Sequence, residues 1–293
     1  MIGLTGANGQ LGRLVVRHLL DAKDGGRIRA VTRNPSHAQA FHDSPPNVEF
    51  VRGDFDDDAA LEEAFGGLSR LLVISTTDGN VVRIERQSRA ITAARKSGVE
   101  HIIYLSFLVE DPASPFPFAA AHRETEKVLL ASGADWTILR PSLYLDSLGM
   151  LRSDLADGDT FYAPAGKGRA SFLSRDDIAR VASSVLTGVG HQSKTYTLTG
   201  AQSVSYAEVA DAAANVLGRP IRYADIDEME YRARAASSVP AAMLDAFVAI
   251  WRSIRDQWFD RVSDDVERLT TVEPMSVHAW LVANRSSFGV SPG

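Results

Sequence analysis

Three glycines at regular spacing, Gly6-x-x-Gly9-x-x-Gly12, close the first dozen residues of the chain and limit what can be built around them. They follow a short apolar run (Ile2, Leu4) and precede residues at helical spacing (Leu11, Leu14, Val15, Leu19), so they join a strand to a helix. A residue without a Cβ lets phosphates come close to the backbone, and the first amides of the following helix meet that anion with the positive end of the helix dipole. Gly12 lets the helix pack tightly on the strand. An ordinary glycine-rich turn carries the same letters, so the surrounding pattern decides between the two readings.

That pattern is a strand, a helix over about residues 10–22, and a second strand, Arg27-Ile-Arg-Ala-Val-Thr-Arg33, stopped by Asn34-Pro35, where proline begins the next helix. Strand, helix and strand within about 33 residues make a βαβ unit, the setting in which a glycine turn holds the pyrophosphate of a dinucleotide. Arg33 falls at the end of the second strand. An acidic residue there accepts the ribose hydroxyls of NAD, whereas an arginine offers a planar fork of donors to the 2′-phosphate of NADP. No Asp or Glu occurs between Arg27 and Arg33, so the expected cofactor is NADP(H), preferred over NAD(H).

The alternation continues. Val48-Glu-Phe-Val51 and Gly53-Asp54-Phe55 lead into a helix over about 57–65 with acids in its first turn, as a helix N-terminus favours. Asp54 can hydrogen-bond an adenine amino group or simply close a turn. Leu71-Leu-Val-Ile74 is the near-continuous apolar run of a parallel strand buried on both faces, and Ser75-Thr76-Thr77 places hydroxyls where ribose and phosphates pass. A helix over 82–98, the strand His101–Ser106, a helix over 118–132 and the strand Trp136–Arg140 ending at Pro141 complete six strands. The fold class is α/β: a Rossmann doubly wound parallel sheet with helices on both faces, plus a smaller, mostly helical C-terminal lobe. The expected partition is 1–141 with 172–200 as the NAD(P)-binding domain, and 142–171 with 201–293 as a substrate-binding lobe, because the alternation breaks near 142 and Thr195–Thr199 reads as a strand returning to the sheet.

Composition removes other classes. A net charge of -6, from 31 basic and 37 acidic residues, gives no footprint for nucleic acid. Zero cysteines exclude disulfides, thiolate catalysis and cysteine-ligated metals, and the 7 histidines lack ligand spacing, so no metal is expected. No basic segment followed by an apolar one opens the chain, and no run of about 18 apolar residues occurs, so no membrane association and a cytoplasmic location are expected. The chain is expected to be a monomer or a homodimer.

The early glycines, Arg33-Asn-Pro35, Gly53-Asp54, Glu124-Thr-Glu126 and Leu139-Arg-Pro141, in this order, resemble the NmrA-like branch of the atypical short-chain dehydrogenase/reductases. Within that branch the chain looks most like NADPH-dependent quinone oxidoreductases and triphenylmethane reductases; the resemblance extends through Arg175-Asp-Asp-Ile-Ala179 and Tyr196-Thr-Leu-Thr-Gly200 and weakens beyond Gly200. It implies a Rossmann domain, NADPH, and a cleft between that domain and the C-terminal lobe. Ordinary members of the wider superfamily carry a Tyr-x-x-x-Lys pair, with a glutamate four residues after the lysine. Setting that glutamate on Glu126 puts Phe118 at the tyrosine's position and His122 at the lysine's, so the phenol that protonates an alkoxide is absent. A quinone or cationic dye, which accepts hydride to give a stabilised anion or a neutral product, needs proximity and orientation more than a positioned acid.

The expected cofactor contacts are Gly6, Asn8, Gly9, Gln10, Leu11, Gly12, Arg33, Asp54, Phe55, Ser75, Thr76, Thr77, Ser106, Phe107, His122, Pro141 and Tyr144. Phe107, Phe118, His122 and Tyr144 are the expected contacts to an aromatic or conjugated small-molecule acceptor, with Phe116 and Phe172 as further nearby aromatics that could equally be core. His122 is the one candidate for a catalytic role, contacting nicotinamide ribose or substrate or supplying a proton; the alternative is a structural histidine held by Glu126 on the same helical face. Phe247, Trp251, Trp258 and Phe259 read as core or a subunit contact. The expected activity is an NADPH-dependent reductase acting by direct hydride transfer. Two alternatives remain: an NmrA-type regulator that binds NADP(H) without turnover, and a tailoring reductase for a particular enone or imine.

Overall fold

A computed structural model describes residues 1–22, 26–36, 46–109, 111–156 and 158–288. The central sheet contains β1 (Ile2–Leu4), β2 (Ile28–Thr32), β3 (Val48–Arg52), β4 (Arg70–Ile74), β5 (His101–Leu105), β6 (Asp135–Pro141) and β9 (Lys194–Leu198), all parallel, in the order β3-β2-β1-β4-β5-β6-β9. The reversal of strand order falls between β1 and β4, where a crevice opens beyond the strands' carboxyl ends. Pro141 does not stop β6 but is its last residue, in register with Leu198. Residues 35 and 36 form a 3₁₀ turn, and the rest of the helix expected from Pro35 lies outside the described residues.

Helices cover both faces because each has an apolar stripe to bury. One face is packed by α1 (Gln10–Asp21), which buries Leu11, Val15, Val16 and Leu19, and by α6 (Arg175–Thr187). The other takes α2 (Asp58–Phe65), α3 (Asn80–Lys96) and α4 (Ala119–Leu130), over Leu71, Val73, Ile102 and Tyr104. Local signals set the ends: Asp57 caps α2 by accepting from the Ala60 N–H, and Ser174 caps α6 through Asp177.

A third apolar cluster lies outside the sheet. It joins the loop after β5 (Leu108, Phe116) to α5 (Arg152–Ala156), α7 (Tyr206–Leu217), α8 (Glu228–Ala235), α9 (Ala241–Arg255) and α11 (Val277–Ala283). Two small ladders tie these pieces together: β7 (Thr160–Ala163) pairs with β11 (Arg222–Asp225), and β8 (Arg169–Ala170) pairs with β10 (Val204–Ser205). At the start of α7, Ser205 and Glu208 form a reciprocal capping box, as the sequence spacing requires. Helix α10 (Asp265–Thr270) packs instead beside α6 and β9, with Val266 in the sheet-side cluster. Trp251 is buried against Tyr206, and Phe259 against Phe107 and Phe116, so these two late aromatics are core. No helix among the described residues is long and apolar enough to cross a membrane.

Candidate functional site

A cavity of about 760 Å³ runs along the carboxyl ends of the central strands. At one end is the turn from β1 to α1. Gly6 has φ +65°, a left-handed conformation that only glycine adopts without strain, and the Gly9 N–H closes on the Gly6 carbonyl oxygen at 2.9 Å. An added Cβ on Gly12 would lie 2.3 Å from the Gly6 carbonyl oxygen and 2.8 Å from the Ala7 Cα, so the helix reaches its place only because this position is bare. The first turn of α1 has neither a side-chain cap nor an acid, unlike α2, α6 and α7, each capped by an Asp or Ser. Its amides are therefore available to an anion.

Asn8 ties this turn to the next strand, its amide donating to Thr32 Oγ1 at 2.9 Å and to the Asn34 carbonyl at 3.1 Å. Arg33, just beyond β2, is exposed at the cavity's edge. Arg86 on α3 also reaches this end, but its charge is taken up by Asp56 and, at 2.9 Å, by Asp78. Asp54 lines the cavity while its carboxylate accepts the Asp56 N–H at 3.1 Å, an Asx turn, so it closes a turn as one of its two readings has it. Buried side-chain oxygens of Asn8 (Oδ1) and Thr76 (Oγ1) have no protein partner. Uncapped amides, a bare glycine and orphaned polar atoms fit a hydroxyl- and phosphate-rich ligand such as a dinucleotide.

The other end is aromatic. Phe107 stacks on Phe116 with centroids 4.6 Å apart, and Phe116 meets Phe118 edge-on at 5.6 Å. The Phe107 ring also lies 5.9 Å from the His122 ring and 6.3 Å from Tyr144, whose ring sits 5.2 Å beneath the Arg175 guanidinium. Gly6, Asn8 to Gly12, Arg33, Asp54, Phe55, Ser75 to Thr77, Ser106, Phe107, Phe118, His122 and Tyr144 all line the cavity. Pro141 does not: it is buried in the β6–β9 ladder. Phe172 is core, packed edge-on to Tyr206 at 5.9 Å, and Phe116 is buried while lending one side to the wall.

His122 is not held by Glu126. Although four residues apart, the two side chains diverge. The Glu126 carboxylate is taken by Arg140 at 2.9 and 2.6 Å and by the Ser106 hydroxyl at 2.6 Å. His122 Nδ1 instead meets the Tyr104 hydroxyl at 3.1 Å, which donates to Gln87 Oε1 at 3.2 Å; Gln87 Nε2 donates to Thr125 Oγ1 at 3.0 Å, and Thr125 to the Ala121 carbonyl at 2.8 Å. The Tyr104 hydroxyl sits between Gln87 Oε1 and His122 Nδ1; a Tyr104 proton directed at Gln87 leaves Nδ1 as the protonated nitrogen and Nε2 as an acceptor. Burial first, and the positive charge of Arg83 second, hold the imidazole down to about 3, so at neutral pH the ring is neutral and no imidazolium is present to act as an acid. Burial pushes the Tyr104 phenol up, out of any role as an anion.

Sequence reasoning missed Arg83, Gln87 and Tyr104. Arg83 and Gln87 share one face of α3 with the buried Ala90, Ile91 and Ala94, and polar residues at those spacings on an apolar stripe were the available signal.

Residues 6–189 match the family described as NAD(P)H-binding. The chain is 28% identical to an NAD(P)H azoreductase of Xenophilus azovorans, over 99% of this chain and 100% of that one. It is 32% identical to quinone oxidoreductase 2 of Escherichia coli, over 81% of this chain and 82% of the relative. Among solved structures, the Citrobacter sp. triphenylmethane reductase complexed with NADP(H) superposes with a TM-score of 0.90 at 30% identity, covering 97% of this chain and 99% of that one. This chain belongs to the NAD(P)H-binding family and is an NAD(P)H-dependent oxidoreductase.

Proposed function

We propose that the protein is an NADPH-dependent reductase that passes hydride directly to a flat, conjugated electrophile, a quinone-like or azo-type acceptor. The observation that carries this reading is the pairing, in one cavity, of an anion-ready glycine turn with an aromatic wall in which Phe118 takes the place of the superfamily's acid. The cofactor would supply the hydride from its dihydronicotinamide ring. The glycine turn would hold the pyrophosphate, and Arg33 the 2′-phosphate, giving the preference for NADPH over NADH.

The chain's own residues do the rest. Phe118 stands at the superfamily tyrosine's position and offers no proton. His122, neutral and bare at Nε2, can accept a hydrogen bond from a ribose or acceptor hydroxyl and orient it. Phe107 and Tyr144 form faces against which a planar acceptor stacks, each contact contributing about 0.5–1.5 kcal/mol. Such a site suits acceptors whose reduced form is a weak base, because the final proton can come from water. The azoreductase, quinone oxidoreductase and triphenylmethane reductase relatives are named for acceptors of this kind.

The test is to mix protein with NADPH and a panel of small quinones and azo aromatics, following loss of the reduced-nicotinamide absorbance. Acceptor-dependent oxidation above the protein-free control is expected. No oxidation across the panel, with NADPH bound, would turn the reading toward a cofactor-binding regulator.

A further inference from the structure

The aromatic end of the cavity contains a buried cation with no carboxylate partner. Arg83, near the start of α3, is only 6% exposed. Its Nε donates to the Asp78 carbonyl oxygen at 3.1 Å, and its guanidinium carbon lies 4.5 Å from the centroid of the Phe118 ring. Neither contact cancels its charge. Asp78 turns its carboxylate to Arg86 at 2.9 Å, and Glu126 is occupied by Arg140 at 2.6 Å. Among the described residues, no carboxylate lies within ion-pair distance of Arg83. Desolvation lowers its pKa and outweighs the attraction of Tyr104 and of the more distant Asp78 carboxylate, yet a guanidinium stays charged under such burial. A buried charge left unpaired is unfavourable, and it is tolerated where an anion meets it during function.

The position of Arg83 says which anion. The phosphate end of the cavity has its own donors, the α1 amides and Arg33. Arg83 lies at the other end, against Phe118, and its charge is felt by His122 and Tyr104. We propose that Arg83 is the anion receptor of the acceptor site, favouring neutral or anionic aromatic acceptors over cationic ones.

The charge balance of the reduction agrees, on the reductase reading above. A neutral quinone that receives hydride gains two electrons and one proton: the dihydronicotinamide C–H bond breaks, a bond from that hydrogen to the acceptor forms, and the nicotinamide is oxidised. The acceptor is left as a monoanion that later takes a proton from water. Arg83 stabilises that anion as it develops, without transferring a proton. A sulfonated azo dye carries its charge from the start and gains on binding as well. A cationic dye ends neutral, gains nothing, and meets repulsion on entry.

The experiment measures binding as well as turnover, comparing a sulfonated azo dye with a cationic triphenylmethane dye of similar size. Affinities for both are measured on NADP⁺-loaded wild type, Arg83→Met and Arg83→Lys, alongside NADPH oxidation with each dye and a neutral quinone. Wild type should favour the anionic dye by about 10- to 150-fold, the range associated with one charge-assisted hydrogen bond. Arg83→Met should remove that ratio and slow quinone reduction while NADP⁺ affinity holds, and Arg83→Lys should keep most of it. A ratio that survives in Arg83→Met, or NADP⁺ binding lost in proportion, overturns the proposal. Should Arg83→Met fail to fold, a wild type that binds the cationic dye equally well or better also overturns it. A ratio that depends on Arg83 without turnover of any acceptor would leave the receptor standing and sink the reductase reading; turnover indifferent to acceptor charge would do the reverse.

Discussion

The two ends of the cavity are built in different ways. The phosphate end is largely backbone: a left-handed Gly6, an uncapped α1 and a Gly12 that lets the helix touch the turn, all from one contiguous stretch. The proposed acceptor end is made of side chains from separate elements: Arg83 from α3, Phe107 and Phe116 from the loop after β5, His122 from α4 and Tyr144 from beyond β6, with Tyr104 of β5 and Phe259 packed behind. A backbone site is a property of local sequence and tolerates little change. A side-chain site depends on how distant elements pack, and single residues in it can change without collapse of the fold.

The largest effect should come from the backbone end. In Gly12→Ala the new Cβ meets backbone atoms, which cannot swing aside as a flexible side chain could. Parting α1 from the turn should cost about 1–3 kcal/mol of stability and weaken NADPH binding roughly 100-fold, since pyrophosphate recognition depends on sub-ångström placement of those amides. Chemical denaturation and cofactor titration check both. A folded variant with normal affinity would show that the phosphate end is not the rigid half.

The same contrast explains what the sequence discloses. The strands are legible because each buried parallel strand is a short apolar run, as in Leu71–Ile74, and the glycine turn because its requirement is local. Capping at Asp57 and Ser205 is legible for the same reason. The partner of His122 is not. Helical spacing points to Glu126, but β6 brings Arg140 to that carboxylate and β5 brings Tyr104 to the imidazole. Pro141 and Phe172 likewise lie close in the chain to cavity residues, yet Pro141 is buried as the last residue of β6 and Phe172 packs into the outer core. Arg83 reads as one more surface arginine until α3 is packed against α4.

Next in size is Arg33, a side chain serving the backbone end. It lies at the exposed rim, and removing a charge-assisted phosphate contact should cost about 1.5–3 kcal/mol in NADPH affinity with little change for NADH. Titrating both cofactors against Arg33→Ala measures this. Equal loss for the two would make Arg33 structural and return the 2′-phosphate to Arg86, which then would have to release Asp56 or Asp78.

The effect at the acceptor end appears as pH dependence. His122 is buried with its imidazole held down to about 3, and His101, bonded to Thr137 at 2.8 Å away from the cavity, is held down to about 4, in each case mainly by burial. Both are neutral in the folded state while the unfolded chain takes up protons near the ordinary histidine value of about 6.5. Between those values the unfolded state binds more protons, so stability is complete above pH 6.5 and declines as pH falls toward the folded values. From pH 7 to pH 5 each histidine should therefore withdraw about 2 kcal/mol, read as a falling urea midpoint. His122→Gln should remove about half of that slope. His101→Gln should remove a like amount, but only His122→Gln should also alter acceptor binding. If NMR instead found His122 protonated near pH 6, its environment would be wetter than the buried Tyr104–Gln87–Thr125 chain implies. The acceptor end would then have a histidine acid of its own, and the contrast between a donor-rich phosphate end and an aromatic end without an imidazolium would fail.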